Sequence, residues 1–235
     1  MFQAKYVLYI GNFKVSESIV IQWIIMLGLI TAAFIFTRGL KKVPTTKRQV
    51  LVELFVSTMR SLVKDTMGVK FVDQVKWMTS YIGTLLMFFL SSNLITLLAL
   101  HSPTIDLDTT VGWSLITFVM IYVMGIKFRG KEYLKEFLEP TPLMLPLHVI
   151  GEISRPISLS FRPFGNILGG TIIMGLLYQL LEYISSFIPN LSIPIGQFLI
   201  PIPLHLYFDL FDGALQAFIF VMLTMVFVGR AAADE

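Results

Sequence analysis

Arg162 stands almost alone in an uncharged stretch. Apart from Arg155, it is the only formal charge between Glu152 and Glu182, and it lies within Ser160-Phe-Arg-Pro-Phe-Gly-Asn166. A guanidinium cannot shed its proton to escape hydrocarbon. Holding it there costs on the order of 3 kcal/mol or more unless a carboxylate or a water-lined cavity faces it. A second apolar run, Tyr183 to Gly229, contains two formal charges, Asp209 and Asp212, followed by Gln216. At helical pitch these three residues, at i, i+3 and i+7, share a face. Asn166 and Gly169/Gly170 follow Arg162 at i+4 and i+7/i+8, so one stripe carries a cation, an amide and then bare backbone. A fixed cation and carboxylates on adjoining apolar segments suit an ion path. Blander readings stand beside this one. Arg162 pairs internally with Asp209 or Asp212; those acids and His205 are simply wet at a helix end; Asn166 and Gln216 hydrogen-bond one helix to the next.

The elements that carry these residues are membrane spans. With 55% hydrophobic residues, 14% charged residues and a mean hydropathy of +0.77, a chain of 235 residues is too apolar for a soluble domain. The predicted fold is an all-α integral membrane protein of about five transmembrane helices plus a cytoplasmic-surface amphipathic helix, the last two long helices strongly tilted, forming a single membrane domain over 1–235. Its spans cover about 16–37, 78–100, 109–127, 156–184 and 201–229, each near the roughly 20 residues needed to cross about 30 Å of hydrocarbon. Tyr183 to Gly229 is about twice one crossing. It is expected to hold a turn, with Pro189, Asn190, Pro194, Pro201 and Pro203 marking the irregular part, and one long or tilted helix. Gly165, Gly169 and Gly170 are expected to admit another helix closely.

Between Thr46 and Met67, Val50, Leu51, Leu54, Phe55, Met59 and Leu62 recur opposite Arg48, Glu53, Arg60 and Lys64. An amphipathic helix over about 46–67 at the membrane surface is expected. Lys131 to Glu139 reads as a shorter charged helix ended by Pro140-Thr-Pro142. Lys and Arg cluster after the first span (Arg38, Lys41, Lys42, Lys47, Arg48) and after the third (Lys127, Arg129, Lys131, Lys135). The connections His101 to Asp108 and Glu182 to Ser192 carry neither. The positive-inside rule then places the N-terminus outside and the C-terminus in the cytoplasm. The first residues lack a basic region joined to a short apolar core, so the first span is expected to be retained.

With no cysteine in the chain, disulfides, thiolate metal sites and cysteine nucleophiles are excluded. An intramembrane hydrolase or transferase is disfavoured, because neither His-Glu-x-x-His nor Gly-x-Ser-x-Gly occurs. His101, His148 and His205 are too dispersed in sequence for an obvious local metal site. The lack of inverted repeats speaks against a secondary transporter. No cofactor, no metal and no nucleic-acid partner is expected.

Arg162-Pro-Phe-Gly-Asn166 and Leu215-Gln-Ala-Phe-Ile-Phe220 resemble subunit a of the membrane sector of rotary F-type ATP synthases. The likeness extends to Ser92-Asn-Leu94, Pro103-Thr-Ile-Asp106 and Glu152-Ile-Ser-Arg-Pro-Ile-Ser-Leu159. It implies a bacterial plasma-membrane stator gripping a c-ring of small hairpin subunits, each with an essential carboxylate. Peripheral-stalk b subunits, the rest of the complex and the lipid bilayer are the other implied partners. By resemblance Arg162 is the essential arginine, Asn166 and Gln216 sit beside it facing the ring, and Asp209 is a titratable channel residue. Asp212, His205, Thr171, Glu152 and Glu182 complete the candidate ion-path set. Two residues depart from the family's pattern. Pro163 stands where Leu is usual, which removes a backbone donor and is expected to bend the helix. Thr171 stands where a carboxylate or histidine is common, which implies other protonatable groups in the outer channel. The transported ion is expected to be H⁺, with Na⁺ the alternative.

Overall fold

An uncharged run of about 20 residues in lipid has no water to satisfy its backbone, so it closes its hydrogen bonds within itself as a helix. That constraint accounts for most of this chain. The computed structural model describes residues 6–10, 13–44, 46–98, 100, 102–138, 141–187 and 199–233. In order, these form an antiparallel hairpin of β1 (Tyr6–Ile10) and β2 (Phe13–Ser16), then α1 (Glu17–Thr37), α2 (Lys47–Met67), α3 (Val69–Gln74) and α4 (Trp77–Leu94). There follow α5 (Leu107–Arg129), α6 (Lys131–Glu136), α7 (Leu145–Ser186) and a composite helix α8 (Pro201–Ala232). Within α8, an α-helical start (Pro201–His205) and end (Gly213–Ala232) flank a π-helical stretch, Leu206–Asp212. Five helices, α1, α4 with its 3₁₀ extension to Leu98, α5, α7 and α8, are long and apolar enough to span a membrane. The chain is a multi-pass membrane protein whose membrane part is all-α, as expected.

Three features differ from the sequence reading. The short β1–β2 hairpin precedes the first span, where no strand was expected. The fourth span starts at Leu145, not near 156, and runs 42 residues through Pro156 and Pro163 without a break. Each proline removes one rung of the helical ladder, and between them the Ser160 hydroxyl donates back to the carbonyls of Pro156 (2.9 Å) and Ile157 (3.0 Å). Pro201 and Pro203 lie in the first turn of α8 and mark no irregular stretch, because a first-turn proline gives up an N–H that has no helical partner anyway. The expected turn at Pro189, Asn190 and Pro194 lies outside the described residues.

Packing concentrates on α8. Phe89 of α4 stacks on Phe220 of α8 with ring centroids 4.2 Å apart, surrounded by Met78, Ile82, Leu85, Val221, Met225 and Val228, all buried. The C-terminal half of the amphipathic α2 docks here through Met59, Val63 and Met67, while Leu51 and Leu54 of its N-terminal half remain exposed. Gly68 turns the chain from α2 into α3 at φ +87, where an L side chain would be strained. α7 packs mainly on α5. Outward-facing Trp23, Leu27, Ile30 and Phe34 give α1 a broad apolar surface suited to lipid.

Tyr133 of α6 is buried against α5, and a Cβ added at Gly125 would sit 2.7 Å from its ring. Gly125→Ala is therefore expected to push α6 off α5 at a cost of about 1–3 kcal/mol. A fall of several degrees in the unfolding midpoint of the detergent-solubilised protein checks it.

Candidate functional site

Two polar sites flank Arg162, one along α7 in each direction. The first lies where α4, α7 and the π stretch of α8 meet. It is a cavity of about 170 Å³ whose polar lining includes Asn93, Asn166, Thr171, His205 and Asp209. The wide π turn, a geometry that concentrates at functional sites, decides which acid points where. In an uninterrupted α-helix Asp209, Asp212 and Gln216 would share one face. Here Asp212 and Gln216 converge on Asn166, whose Nδ2 donates to Asp212 Oδ1 (3.1 Å) and Gln216 Oε1 (3.3 Å). Asp209 instead pairs with His205, with Oδ2 2.5 Å from Nδ1. The other imidazole nitrogen, Nε2, lies 3.0 Å from the Tyr178 hydroxyl on α7.

A buried hub holds this cavity in shape. Asn93 of α4 donates to the carbonyl of Gly213 (2.7 Å), the first residue after the π stretch, and accepts from Thr104 Oγ1 (2.7 Å). Thr104 in turn bonds Ser102, whose hydroxyl donates to the carbonyl of Ser92 (2.6 Å). Gly213 makes this possible, since a Cβ there would lie 3.2 Å from that of Asn93.

Arg162 is exposed on α7 and makes no ion pair among the described residues. An internal pairing with Asp209 or Asp212 is not formed. Asn166, one turn on, is also exposed, whereas Gln216 is only 1% exposed and enclosed by the chain's own helices. Within this chain Gln216 therefore faces α7 and has no open outward face. Of the three glycines expected to admit a helix, only Gly170 does so here, with Phe208 3.3 Å from a Cβ placed on it. Gly165 and Gly169 face open space and leave bare backbone beside Arg162. Thr171 lines the cavity, although its hydroxyl is turned back to the carbonyl of Ile167 (2.8 Å). Glu182 is exposed one turn beyond Tyr178.

The second site lies toward the start of α7, a cavity of about 570 Å³ lined by Tyr133, His148, Glu152, Arg155 and Arg230 among others. Glu152 holds Arg155 at 2.8 Å and accepts from the Tyr122 hydroxyl at 3.4 Å. Arg129 pairs with Glu136 at 2.6 Å. Burial, with Glu152 and Glu136 nearby, pushes the Tyr133 hydroxyl up to about 12. His148, Glu152, Arg155, Leu159, Arg162 and Asn166 advance by four and three residues in turn, which is one stripe of α7. The stripe is polar at both cavities and closed between them by Leu159, which is buried. His101 lies outside the described residues, and among those described no three His, Asp or Glu side chains cluster as a metal site would require.

Sequence reasoning missed Tyr178 and the hub around Asn93. Tyr178 lies seven residues after Thr171, hence on the same face of α7. The hub had a signal in Ser91-Ser92-Asn93, a polar triplet in an otherwise apolar span.

A helical membrane protein with a solitary exposed cation set between two separate polar cavities belongs to the class that handles ions across a bilayer. The sequence profile described as ATP synthase A chain matches residues 19–229, and the chain belongs to that family. It is 34% identical to "ATP synthase subunit a, sodium ion specific" of Propionigenium modestum, over 95% of this chain and 76% of that one. It is 33% identical to ATP synthase subunit a of Legionella pneumophila (97% and 91% covered) and 32% identical to that of Syntrophobacter fumaroxidans (94% and 86%). Membership makes the chain a subunit of a larger complex and not an enzyme on its own.

Two outcomes test the geometry. Asn93→Ala removes both hydrogen bonds that tie α4 to Gly213 and Thr104, leaving the Thr104 hydroxyl only Ser102, and is expected to cost about 1–3 kcal/mol in all. A lowered thermal midpoint reads it. For Tyr133, the folded state keeps its proton between the ordinary tyrosine value of 10.0 and about 12, while the unfolded chain has lost it. Stability therefore falls as pH rises through that window. The difference between ultraviolet titrations of the wild type and Tyr133→Phe should show one phenol ionising near pH 12.

Proposed function

We propose that this chain is the ion-conducting stator of a rotary F-type ATP synthase. The observation that carries the reading is Arg162, exposed, without an ion-pair partner among the described residues, and placed on the α7 stripe between two polar cavities. A charge left open in this way calls for a carboxylate from another subunit. The family's ring of small hairpin subunits supplies one, and the open backbone at Gly165 and Gly169 lets such a ring come close.

In this mechanism an ion enters from outside through the α4–α7–α8 cavity, past His205, Asp209 and Asp212, and neutralises a ring carboxylate. The neutral site turns through lipid nearly a full revolution. It then releases its ion to the cytoplasm through the cavity at Glu152. Arg162 attracts each ionised ring carboxylate passing between the cavities and repels any cation that would leak straight through. Moving one charge through 100 mV yields about 2.3 kcal/mol, so several ions must be accumulated for each ATP. With 42 residues, α7 is about 63 Å long, roughly twice the hydrocarbon thickness. Lying tilted along the ring, it serves both half-channels. The basic connections after α1 and α5 support a C-terminus in the cytoplasm of a bacterial cell and an N-terminus outside. Peripheral-stalk b subunits hold the stator against rotation.

The ion is H⁺, supported by the titratable His205–Asp209 pair in the outer cavity. Na⁺ is the second reading, favoured by the sodium-specific relative. Vesicles bearing the whole complex and driven by a pH step decide: synthesis should proceed at the same rate in sodium-free buffer as in sodium. A strict sodium requirement would reverse the ion assignment.

Arg162→Ala is expected to abolish ion-driven ATP synthesis while the complex still assembles, and Arg162→Lys to fail too, because an ammonium sheds its proton and lacks the guanidinium fork. Normal synthesis by either variant would end the rotary reading. Cysteines at 209 and 212, in a chain with no native cysteine, should react with a water-soluble thiol reagent from outside, and one at the enclosed position 216 far more slowly. Inertness at both 209 and 212 would show dry packing instead of a channel.

A further inference from the structure

We infer that Tyr178 is a working member of the outer ion path. With His205 and Asp209 it forms a three-membered proton wire that takes the place of the titratable group missing at Thr171. The inference rests on the reading of the α4–α7–α8 cavity as the outer half-channel. The three groups come from two helices, and their polar atoms are in series: Tyr178 Oη to His205 Nε2 at 3.0 Å, His205 Nδ1 to Asp209 Oδ2 at 2.5 Å.

The chemistry of the contacts fixes their direction. An ionised carboxylate only accepts, so the imidazole nitrogen beside Asp209 carries the proton. The opposite nitrogen, Nε2, is then a lone-pair acceptor, and the Tyr178 hydroxyl is its donor. The His205 side chain is 42% exposed and that of Asp209 25%, so the wire grades from wet to sheltered. Among the described residues lining the cavity, His205 and Asp209 are the only titratable side chains. From α4 and α7 the cavity receives the uncharged Asn93, Thr96, Asn166 and Thr171.

Transfer balances as a concerted shift. A hydronium ion outside gives a proton to the Tyr178 oxygen, leaving water, while the Tyr178 O–H proton passes to Nε2. The Nδ1 proton passes to Asp209 at the same time. Three bonds to hydrogen form, three break, and Asp209 ends as a neutral acid. When Asp209 hands its proton inward toward the ring, His205 is left as the Nε2–H tautomer, and its part-exposed imidazole regains the starting form by taking a proton from cavity water at Nδ1 while giving one up to water at Nε2. Thr171 has no part in this, since its hydroxyl is committed to its own helix.

The test uses the whole complex in vesicles, with assembly judged by co-purification of the ring. Tyr178→Phe should slow proton-driven synthesis by about tenfold, at the modest end of acid–base effects because water can stand in for the lost hydroxyl. Fluorinated tyrosine at 178 keeps shape and hydroxyl but is more acidic. It should restore the rate and move the alkaline limb of its dependence on outside pH to lower pH. A slowed Tyr178→Phe with an unshifted fluorotyrosine profile would mean that Tyr178 only braces the helix, and would overturn the wire. So would Tyr178→Phe at full rate with an unchanged profile while Arg162→Ala, run in parallel, blocks synthesis; the rotary reading would then stand without the wire. Full coupling in Arg162→Ala would remove the rotary reading itself, and the wire with it.

Discussion

A permanent cation in a hydrophobic solvent must find a counter-charge, and among its described residues this chain does not provide one. Arg162 lies open on α7 while the two nearest candidates on α8 are engaged elsewhere, Asp209 by His205 and Asp212 by Asn166. Much of the surrounding architecture can be understood as keeping it so. The π stretch turns the two acids to different partners, and the Asn93 hub fixes where that stretch ends. Gly165 and Gly169 leave the space beside the guanidinium clear. In the proposed mechanism the protein is incomplete on one face, and the missing half is a moving carboxylate.

The two cavities do different work with similar residue types. Beside Glu152 the charges are pre-paired, Glu152 with Arg155 and Glu136 with Arg129. In the proposed mechanism an ion there would meet these two pairs and the further cation Arg230, in a lining whose Tyr133 hydroxyl stays protonated well into alkali. Among the described residues that line the cavity beside Asp209, His205 is the only side chain able to become a cation. One site holds fixed salt bridges and the other an exchangeable proton, a contrast that fits the proposed exit and entrance.

How much of this was legible in the sequence depended on the length scale of the signal. Hydropathy over about 20 residues located four of the five spans closely, because the cost of exposing backbone to lipid is large and local. It placed the start of α7 near 156 because the charges of Glu152 and Arg155 interrupt the apolar run there, whereas the helix, packed against α5, runs from Leu145 through Pro156 and Pro163. The site residues Arg162, Asn166 and Asp209 were visible as rare polar groups in apolar runs. Their partnerships were not. The i, i+3, i+7 expectation for Asp209, Asp212 and Gln216 assumed 3.6 residues per turn, and the π stretch breaks that assumption. Tyr178 and Asn93 stayed hidden because a tyrosine or an asparagine in a span has many innocuous uses, and only the fold shows that Tyr178 faces His205 and Asn93 faces Gly213.

The π stretch also divides α8 into two parts with separate angular phase. A π turn amounts to one residue more than the α-helix would use, so losing a single residue within Leu206–Asp212 would rewind everything before it by about 100° relative to Gly213–Ala232. The half that carries Phe220, Met225 and Val228 would keep its packing, while His205 and Asp209 swung to another side. The ion-facing end of α8 can thus be re-aimed by single insertions or deletions without disturbing the core that anchors it. Chains of this architecture have a simple route to exchanging one set of channel groups for another.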